Sequence, residues 1–273
     1  MSDEGEVPRH VGGFSARTPN AARMNDYYLG GKDNFAADRE AAEKALAIAP
    51  EIREMALENQ AFRARSVRYL IEAGVTQFVT VSGGLPTQRN IHEVARELDP
   101  DARVAYVDDD PVVLTHARAL LATDPRTAVV KGDVMHPEEF LADPALQAVI
   151  DLERPVGVLI YGVLQYIPDE DDPYKSMARL RELLAPGSHL VIAHVVFDSR
   201  PDAAEPLVRI YQEVFGRTED ASRTKAEVAR FFDGWELVEP GLTYIREWRP
   251  DSPNAYGRPD RAWVAVGVAR KPA

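Results

Sequence analysis

Residues 77–111 read QFVTVSGGLPTQRNIHEVARELDPDARVAYVDDDP, and this stretch decides how the chain folds. It predicts a buried strand over 78–81 and a glycine-containing turn over 82–86. A helix follows, whose apolar residues Ile91, Val94, Ala95 and Leu98 fall at i, i+3, i+4 and i+7. A second strand over 103–107 stops at Asp108. Strand, glycine turn, helix, strand and acid in that order make a nucleotide-type binding unit. Gly83 and Gly84 let a ligand approach the backbone, the helix N-terminus offers N–H groups, and a carboxylate one strand over accepts bonds from ribose hydroxyls.

Working outward, residues 1–20 are polar, Gly/Pro-rich and without periodicity, which predicts a disordered or docking segment. Residues 21–74 predict a helical lid. Two helix-like segments are interrupted there by a Gly-Gly-Lys-Asp-Asn turn, and a long amphipathic helix then carries Val67, Leu70 and Ile71 on its inner face and Gly74 just past its end. Tyr28, Gly30, Gly31, Lys32 and Asn34 in this region are candidates for a loop lying over a substrate, against the plainer reading of a helix-to-helix turn with Tyr27 and Tyr28 on the core. The remainder, 75–273, alternates strands and helices. Asp110 and Pro111 open a helix, TAVVK is a third strand, VGVLIY a fourth and HLVIAHVV a fifth. WELVE, LTYIREW and AWVAVGVAR read as strands joined by turns, which implies antiparallel pairing at the C-terminal edge. The expectation is an α/β fold with a mostly parallel sheet of seven strands, helices on both faces and an antiparallel C-terminal edge.

The chain has 273 residues, 45% of them hydrophobic, enough for one large core. Its formal net charge of -12, with no Lys/Arg run, disfavours nucleic acid as a partner. Cysteine is absent, which removes disulfides, Cys-ligated zinc and thiol catalysis and suits a cytoplasmic protein. No apolar signal segment or membrane-length run is present, so no membrane partner is expected.

Ligands of open parallel sheets bind beyond the carboxyl ends of the strands. There the sequence offers Ser82-Gly83-Gly84, Asp108-Asp109, Gly132-Asp133-Val134, and the segment from Gly162 to Tyr166. Aspartate at a strand end is more often a local cap or turn residue, but four such ends in register favour a ligand. The turn Ser82-Gly83-Gly84-Leu85-Pro86-Thr87 lacks the glycine spacing of a dinucleotide fingerprint. A phosphate-free nucleoside with a sulfonium centre suits a wider turn and an acidic site, which moves the reading from NAD toward S-adenosylmethionine.

The segments LGGKDNFAADRE, GLPT, YVDDDPVV and IPDEDDPY together resemble an actinobacterial family of class I S-adenosylmethionine-dependent methyltransferases once known only as a domain of unknown function. That resemblance spans nearly the whole chain. It implies a Rossmann-like methyltransferase sheet with an N-terminal helical lid, S-adenosylmethionine as cofactor and S-adenosylhomocysteine as product. It assigns Gly84 to the motif glycine, Asp108 to the ribose-binding acid and Asp133 to the adenine-proximal acid, with Thr80, Ser82, Gly83, Asp109, Val134 and Gly162 completing the cofactor set. Two departures stand in the turn. Thr80 replaces the family's aspartate, which helps hold the methionine end of the cofactor, and Ser82 replaces a glycine that adopts positive φ more cheaply. Asn25 and Gln165 also stand where relatives tend to carry Tyr and His. The expected function is methyl transfer to a small-molecule acceptor, and the alternative is a non-catalytic or weakly active regulatory relative that binds the same ligand.

Displacement at a sulfonium methyl needs positioning more than acid–base chemistry. Gln165, Tyr166 and His194 are the candidate catalytic groups, although His194, inside an apolar strand, reads first as a hydrogen-bonded core histidine. The acids 169–172 read as a solvated loop and helix cap, so no metal is expected. A hydrolase reading of Ser82 lacks the first glycine of a nucleophile elbow and an upstream oxyanion segment.

Overall fold

The computed structural model describes residues 15–82, 84–86, 89–122, 124–216, 220–252 and 261–273. The predicted disorder over 1–20 falls largely outside these residues, as does most of the polar loop before the last strand. Three helices come first: α1 (Ala21–Tyr28), α2 (Ala36–Ile48) and α3 (Ile52–Glu72). The alternating part follows with β1 (Gln77–Val81), α4 (Ile91–Leu98), β2 (Arg103–Asp108), α5 (Pro111–Leu120), β3 (Thr127–Lys131), α6 (Pro137–Leu141), α7 (Pro144–Gln147) and β4 (Gly157–Tyr161). Then come α8 (Pro173–Leu183), β5 (His189–Val195), α9 (Pro201–Phe215), α10 (Lys225–Val228), β6 (Glu236–Leu237), β7 (Thr243–Tyr244) and β8 (Val264–Arg270).

The sheet runs β3-β2-β1-β4-β5-β8-β6, with β7 also paired to β8, making eight strands where the sequence predicted seven. β1 to β5 pair in parallel and β8 runs antiparallel to β5 over seven residue pairs, from His189 opposite Arg270 to Val195 opposite Val264. Every residue of β1 and β4 is buried, as expected of central strands covered on both faces. One face shares an apolar core with α1 to α4 and α9, built around Met24, Phe62, Leu70, Leu159, Trp248 and Trp263. The other packs Phe140, Leu146, Met177, Leu180 and Phe231. Among the described residues no helix is long and apolar enough to cross a membrane.

The described residues of 77–111 form the predicted strand, helix and strand, with β1 starting one residue earlier at Gln77 and β2 one residue longer so that Asp108 is its last member. Two C-terminal strands are much shorter than predicted. WELVE has strand residues at Glu236 and Leu237, with Val238 N–H also on Val268 O, and LTYIREW at Thr243 and Tyr244, both along the same edge of β8. Between them Glu239-Pro240-Gly241 turns the chain, with Gly241 at φ +87°, and proline has no N–H for a ladder. Ile245 N–H still reaches Val264 O at 2.9 Å, but from there the carbonyls find other partners. Buried Arg65 of α3 donates to the carbonyls of Ile245 (2.8 Å) and Trp248 (3.1 Å), while both of those side chains are fully buried. A side chain thus takes the place of a neighbouring strand.

Replacing Arg65 by Met keeps the apolar stem and leaves two buried carbonyls without their donor. The expected loss is about 2–4 kcal/mol of unfolding free energy in a denaturant titration. A loss under about 0.5 kcal/mol would refute this role for Arg65.

Candidate functional site

The parallel register brings β1, β2 and β4 to an end at one level: Val81 lies opposite both Val107 and Ile160. The next residues peel away together. Ser82 N–H still reaches Val107 O at 2.8 Å, and Gly162 N–H reaches Ala193 O at 2.9 Å. A cleft opens there, about 1170 Å³ when the solvent at its mouth is counted, lined by Ser82, Gly84, Asp108, Asp109, Asp110, Gly162, Gln165 and Tyr166 from the sheet side. Its other wall is helical. Asn20, Ala21, Ala22, Asn25 and Tyr28 close it from α1 and its cap, and Ile52, Met55, Ala56, Asn59 and Arg63 from α3. A second cavity of about 770 Å³ adjoins it, sharing Ile52, Met55, Gln165, Tyr166, Val195, Tyr211 and Phe215 and continuing to Phe197, Leu207 and Trp263.

The turn keeps a glycine-like backbone despite its serine. Ser82 sits at φ +53° and Gly84 at φ +77°, so position 82 adopts the left-handed conformation that glycine takes without a Cβ penalty. Gly83 lies outside the described residues. Thr80 is buried and lines a smaller cavity beneath the turn, together with Arg63, Gly84, Tyr106 and Asp108.

Asp108 is buried, and its Oδ1 accepts the Asp110 N–H at 2.9 Å. No cation among the described residues pairs with it. Burial therefore pushes its carboxyl up to about 8, with the neighbouring Asp109 and Asp110 acting in the same direction and the backbone hydrogen bond opposing. Such an acid is poised to bond a ligand's hydroxyls. Asp110 does different work: its Oδ1 caps α5 through Val112 N–H at 2.7 Å, and its Oδ2 accepts Asn20 Nδ2 at 2.6 Å. The second contact ties the entrance of α1 to the end of β2. Asn20 also caps α1, and its N–H donates to Asp38, which pairs with buried Arg23 at 2.8 Å.

The structure divides the remaining candidates. Tyr28 lines the large cavity, and its hydroxyl meets that of Tyr211 at 3.3 Å. Gly30, Gly31, Lys32 and Asn34 do not line it. Their turn is folded around buried Asp26, which accepts from Asp33 N–H at 2.9 Å and Asn34 Nδ2 at 2.8 Å. A Cβ at position 31 would meet the Asp26 carboxylate at 1.9 Å, so that glycine serves the turn. Lys32 is exposed. Asp133 caps its own loop by accepting Met135 N–H at 2.8 Å, and Val134 is buried in the far-face core; neither lines the cavities.

Gln165 and Tyr166 line both cavities, and Gln165 Oε1 is fixed by Val195 N–H at 2.9 Å. His194 is on the opposite face. Side chains alternate along β5, so Ala193 and Val195 line the large cavity while His194 bonds Val195 O (2.6 Å) and sits 3.4 Å from buried Arg223. Burial lowers its pKa to about 3, so it is a neutral core residue. Asp169 pairs with Arg223, and Asp172 caps α8 through Lys175 N–H. The α1 and α3 lining residues were missed as a set by sequence reasoning, although Ala21, Asn25 and Tyr28 do fall at i, i+4 and i+7.

The donor set fits S-adenosylmethionine: an acid for ribose hydroxyls, a glycine-like turn, and apolar walls. A family model described as S-adenosyl methyltransferase matches residues 11–272. The chain belongs to this S-adenosylmethionine-dependent methyltransferase family. It is similar over 94% of its length to a DUF574 family protein of Streptomyces avermitilis, at 37% identity, 99% coverage of that chain and a TM-score of 0.88. It is also similar to a candidate methyltransferase of Thermobifida fusca, at 44% identity, 94% and 96% coverage and a TM-score of 0.86. The plantazolicin methyltransferase BamL shares the fold alone, at 9% identity, 92% and 96% coverage and a TM-score of 0.52. No protein of curated function matches the sequence. The cofactor of this methyltransferase family is S-adenosylmethionine.

Two substitutions test the site's geometry. Ser82→Gly removes the left-handed penalty and should stabilise the fold by about 0.5–1 kcal/mol after the extra chain entropy of glycine is offset; a lower melting temperature would count against the assigned conformation. Asp108 holds its proton more tightly folded than unfolded, so its contribution to stability is full below about 3.8 and is lost as pH rises through about 8. Asp108→Asn should remove that slope, gaining on the wild type between pH 4 and pH 8 in thermal melts. The same variant should weaken S-adenosylhomocysteine binding by about 1.5–3 kcal/mol. Unchanged affinity would remove Asp108 from the ligand site.

Proposed function

We propose that the protein transfers a methyl group from S-adenosylmethionine to a small-molecule acceptor by in-line displacement, with the cofactor in the larger cavity and the acceptor in the adjoining apolar one. The observation that carries this reading is the shared wall: Gln165, Tyr166 and Tyr211 face both spaces, so a donor and an acceptor seated on either side would meet there. When bound, the cofactor supplies an electrophilic methyl on a sulfonium. Ser82, Gly84, Asp108, Asp109 and Gly162 would hold it.

The apolar cavity offers positioning rather than a base. Among its described lining residues there is no carboxylate, imidazole or amine. Burial raises the phenols of Tyr28, Tyr166 and Tyr211, so they stay protonated at neutral pH. Tyr166 lies against Tyr211 and Phe215, with ring centroids 5.4 and 4.4 Å away, forming an aromatic wall that excludes water. Such a site favours an acceptor that arrives with an available lone pair and gains rate from alignment. The alternative, a regulatory relative with a degenerate turn, has less support, because Ser82 keeps the glycine-like backbone.

The test is release of S-adenosylhomocysteine, followed by mass spectrometry with a panel of apolar ring-bearing acceptors. Gln165→Ala should lower turnover about ten-fold or more while leaving cofactor affinity within about three-fold, since it would orient the transfer rather than hold the donor. Cofactor binding without product on any acceptor would sink the catalytic reading.

A further inference from the structure

Helix α3 turns one stripe of side chains toward the larger cavity: Ile52, Met55, Ala56, Asn59 and Arg63. The first three are apolar. The last two stand four residues apart, so one helical turn sets them side by side. Both have unmet bonding capacity. Asn59 Oδ1 is buried without a partner. The Arg63 guanidinium pairs with no carboxylate among the described residues, and packs over the Tyr161 ring, whose centroid is 4.8 Å from Cζ. Burial lowers its pKa.

Arg63 is half-buried. Of the fully buried arginines, Arg23, Arg223 and Arg246 each meet a carboxylate, at 2.8, 2.6 and 2.8 Å, and Arg65 donates to the carbonyls of Ile245 and Trp248. A half-buried guanidinium that meets no carboxylate among the described residues leaves room for an anion brought by a ligand. The acids lining the cavity, Asp108, Asp109 and Asp110, follow β2, and none of them pairs with Arg63. Arg63 also reaches the smaller space beneath the turn, beside Thr80 and Gly84. Threonine at position 80 offers Arg63 no carboxylate.

We infer that Arg63 and Asn59 bind the amino-acid end of S-adenosylmethionine, Arg63 taking its carboxylate and Asn59 Oδ1 accepting from its α-ammonium. This rests on the cofactor's placement in the larger cavity, proposed above. The two polar groups on α3 match the two ends of a zwitterion, a cation for the carboxylate and an acceptor for the ammonium.

Calorimetry on the full chain separates the two ends of the ligand. S-adenosylhomocysteine carries the amino-acid end, and 5′-methylthioadenosine lacks it. The wild type should prefer the former by about ten-fold or more. Arg63→Met should weaken S-adenosylhomocysteine by roughly 10- to 100-fold and change 5′-methylthioadenosine by less than about three-fold, and Arg63→Lys should recover part of the loss. Asn59→Leu should give a smaller loss of the same selectivity. Equal weakening of both ligands, or no weakening in Arg63→Met, overturns the assignment. A wild type that binds both ligands equally overturns it without recourse to any variant. A wild type that binds neither overturns the cofactor's placement, and the assignment with it.

Discussion

The structure depends on the parallel register of β1 with β2 and β4. Pairing Val81 with both Val107 and Ile160 ends three strands at one level, and the backbone of Ser82 and Gly162 then leaves the sheet on hydrogen bonds to Val107 and Ala193. Once that is fixed, the turn after β1, the acid at the end of β2 and the loop after β4 must border one crevice. A one-residue slip would turn Thr80 and Tyr161 to the opposite face and remove the crevice's floor.

Closing the crevice falls to the N-terminal helices, which are fastened by polar contacts at its rim. Arg23 and Asp38 form a buried pair, and Asn20 links that pair to Asp110 at the start of α5. Buried ion pairs contribute little net stability but fix one arrangement over others, and here they set where α1 meets β2. The wall so placed is apolar apart from a few polar residues such as Asn25, Asn59 and Arg63. Against it stands Asp108, a carboxylic acid held at a cost. Asp108 is buried and Arg63 half-buried, and neither pairs with an opposite charge among the described residues.

Much of this was legible in the sequence, and the reasons differ by element. The unit at 77–111 was readable because buried parallel strands are short apolar runs and its helix has a clear i, i+3, i+4, i+7 pattern. The α3 boundary was readable because Gly74, at φ +85°, sits in the position a helix end demands. LTYIREW misled because its apolar residues Ile245 and Trp248 are buried as strand residues would be, yet their carbonyls go to Arg65, a side chain 180 and 183 positions away. The GGKDN turn suggested a loop over the ligand, and instead Asp26 draws it into its own hydrogen-bonded knot. His194 required knowing which face of β5 the cavity occupies.

By itself the sequence determined the class of fold, three of the strand ends that border the crevice, and the nucleoside-like character of the ligand. These follow from periodicity, turn chemistry and motif spacing, which are local properties of the chain. Only the tertiary structure decided which side chains share that crevice. Asn59 and Arg63 of α3, Tyr28 of α1 and Tyr211 of α9 converge across long separations in sequence, and pairing or its absence is a property of their neighbours in space. That, among the described residues, Arg63 meets no carboxylate and Asn59 Oδ1 no donor could be learned only from the packing of the surrounding groups.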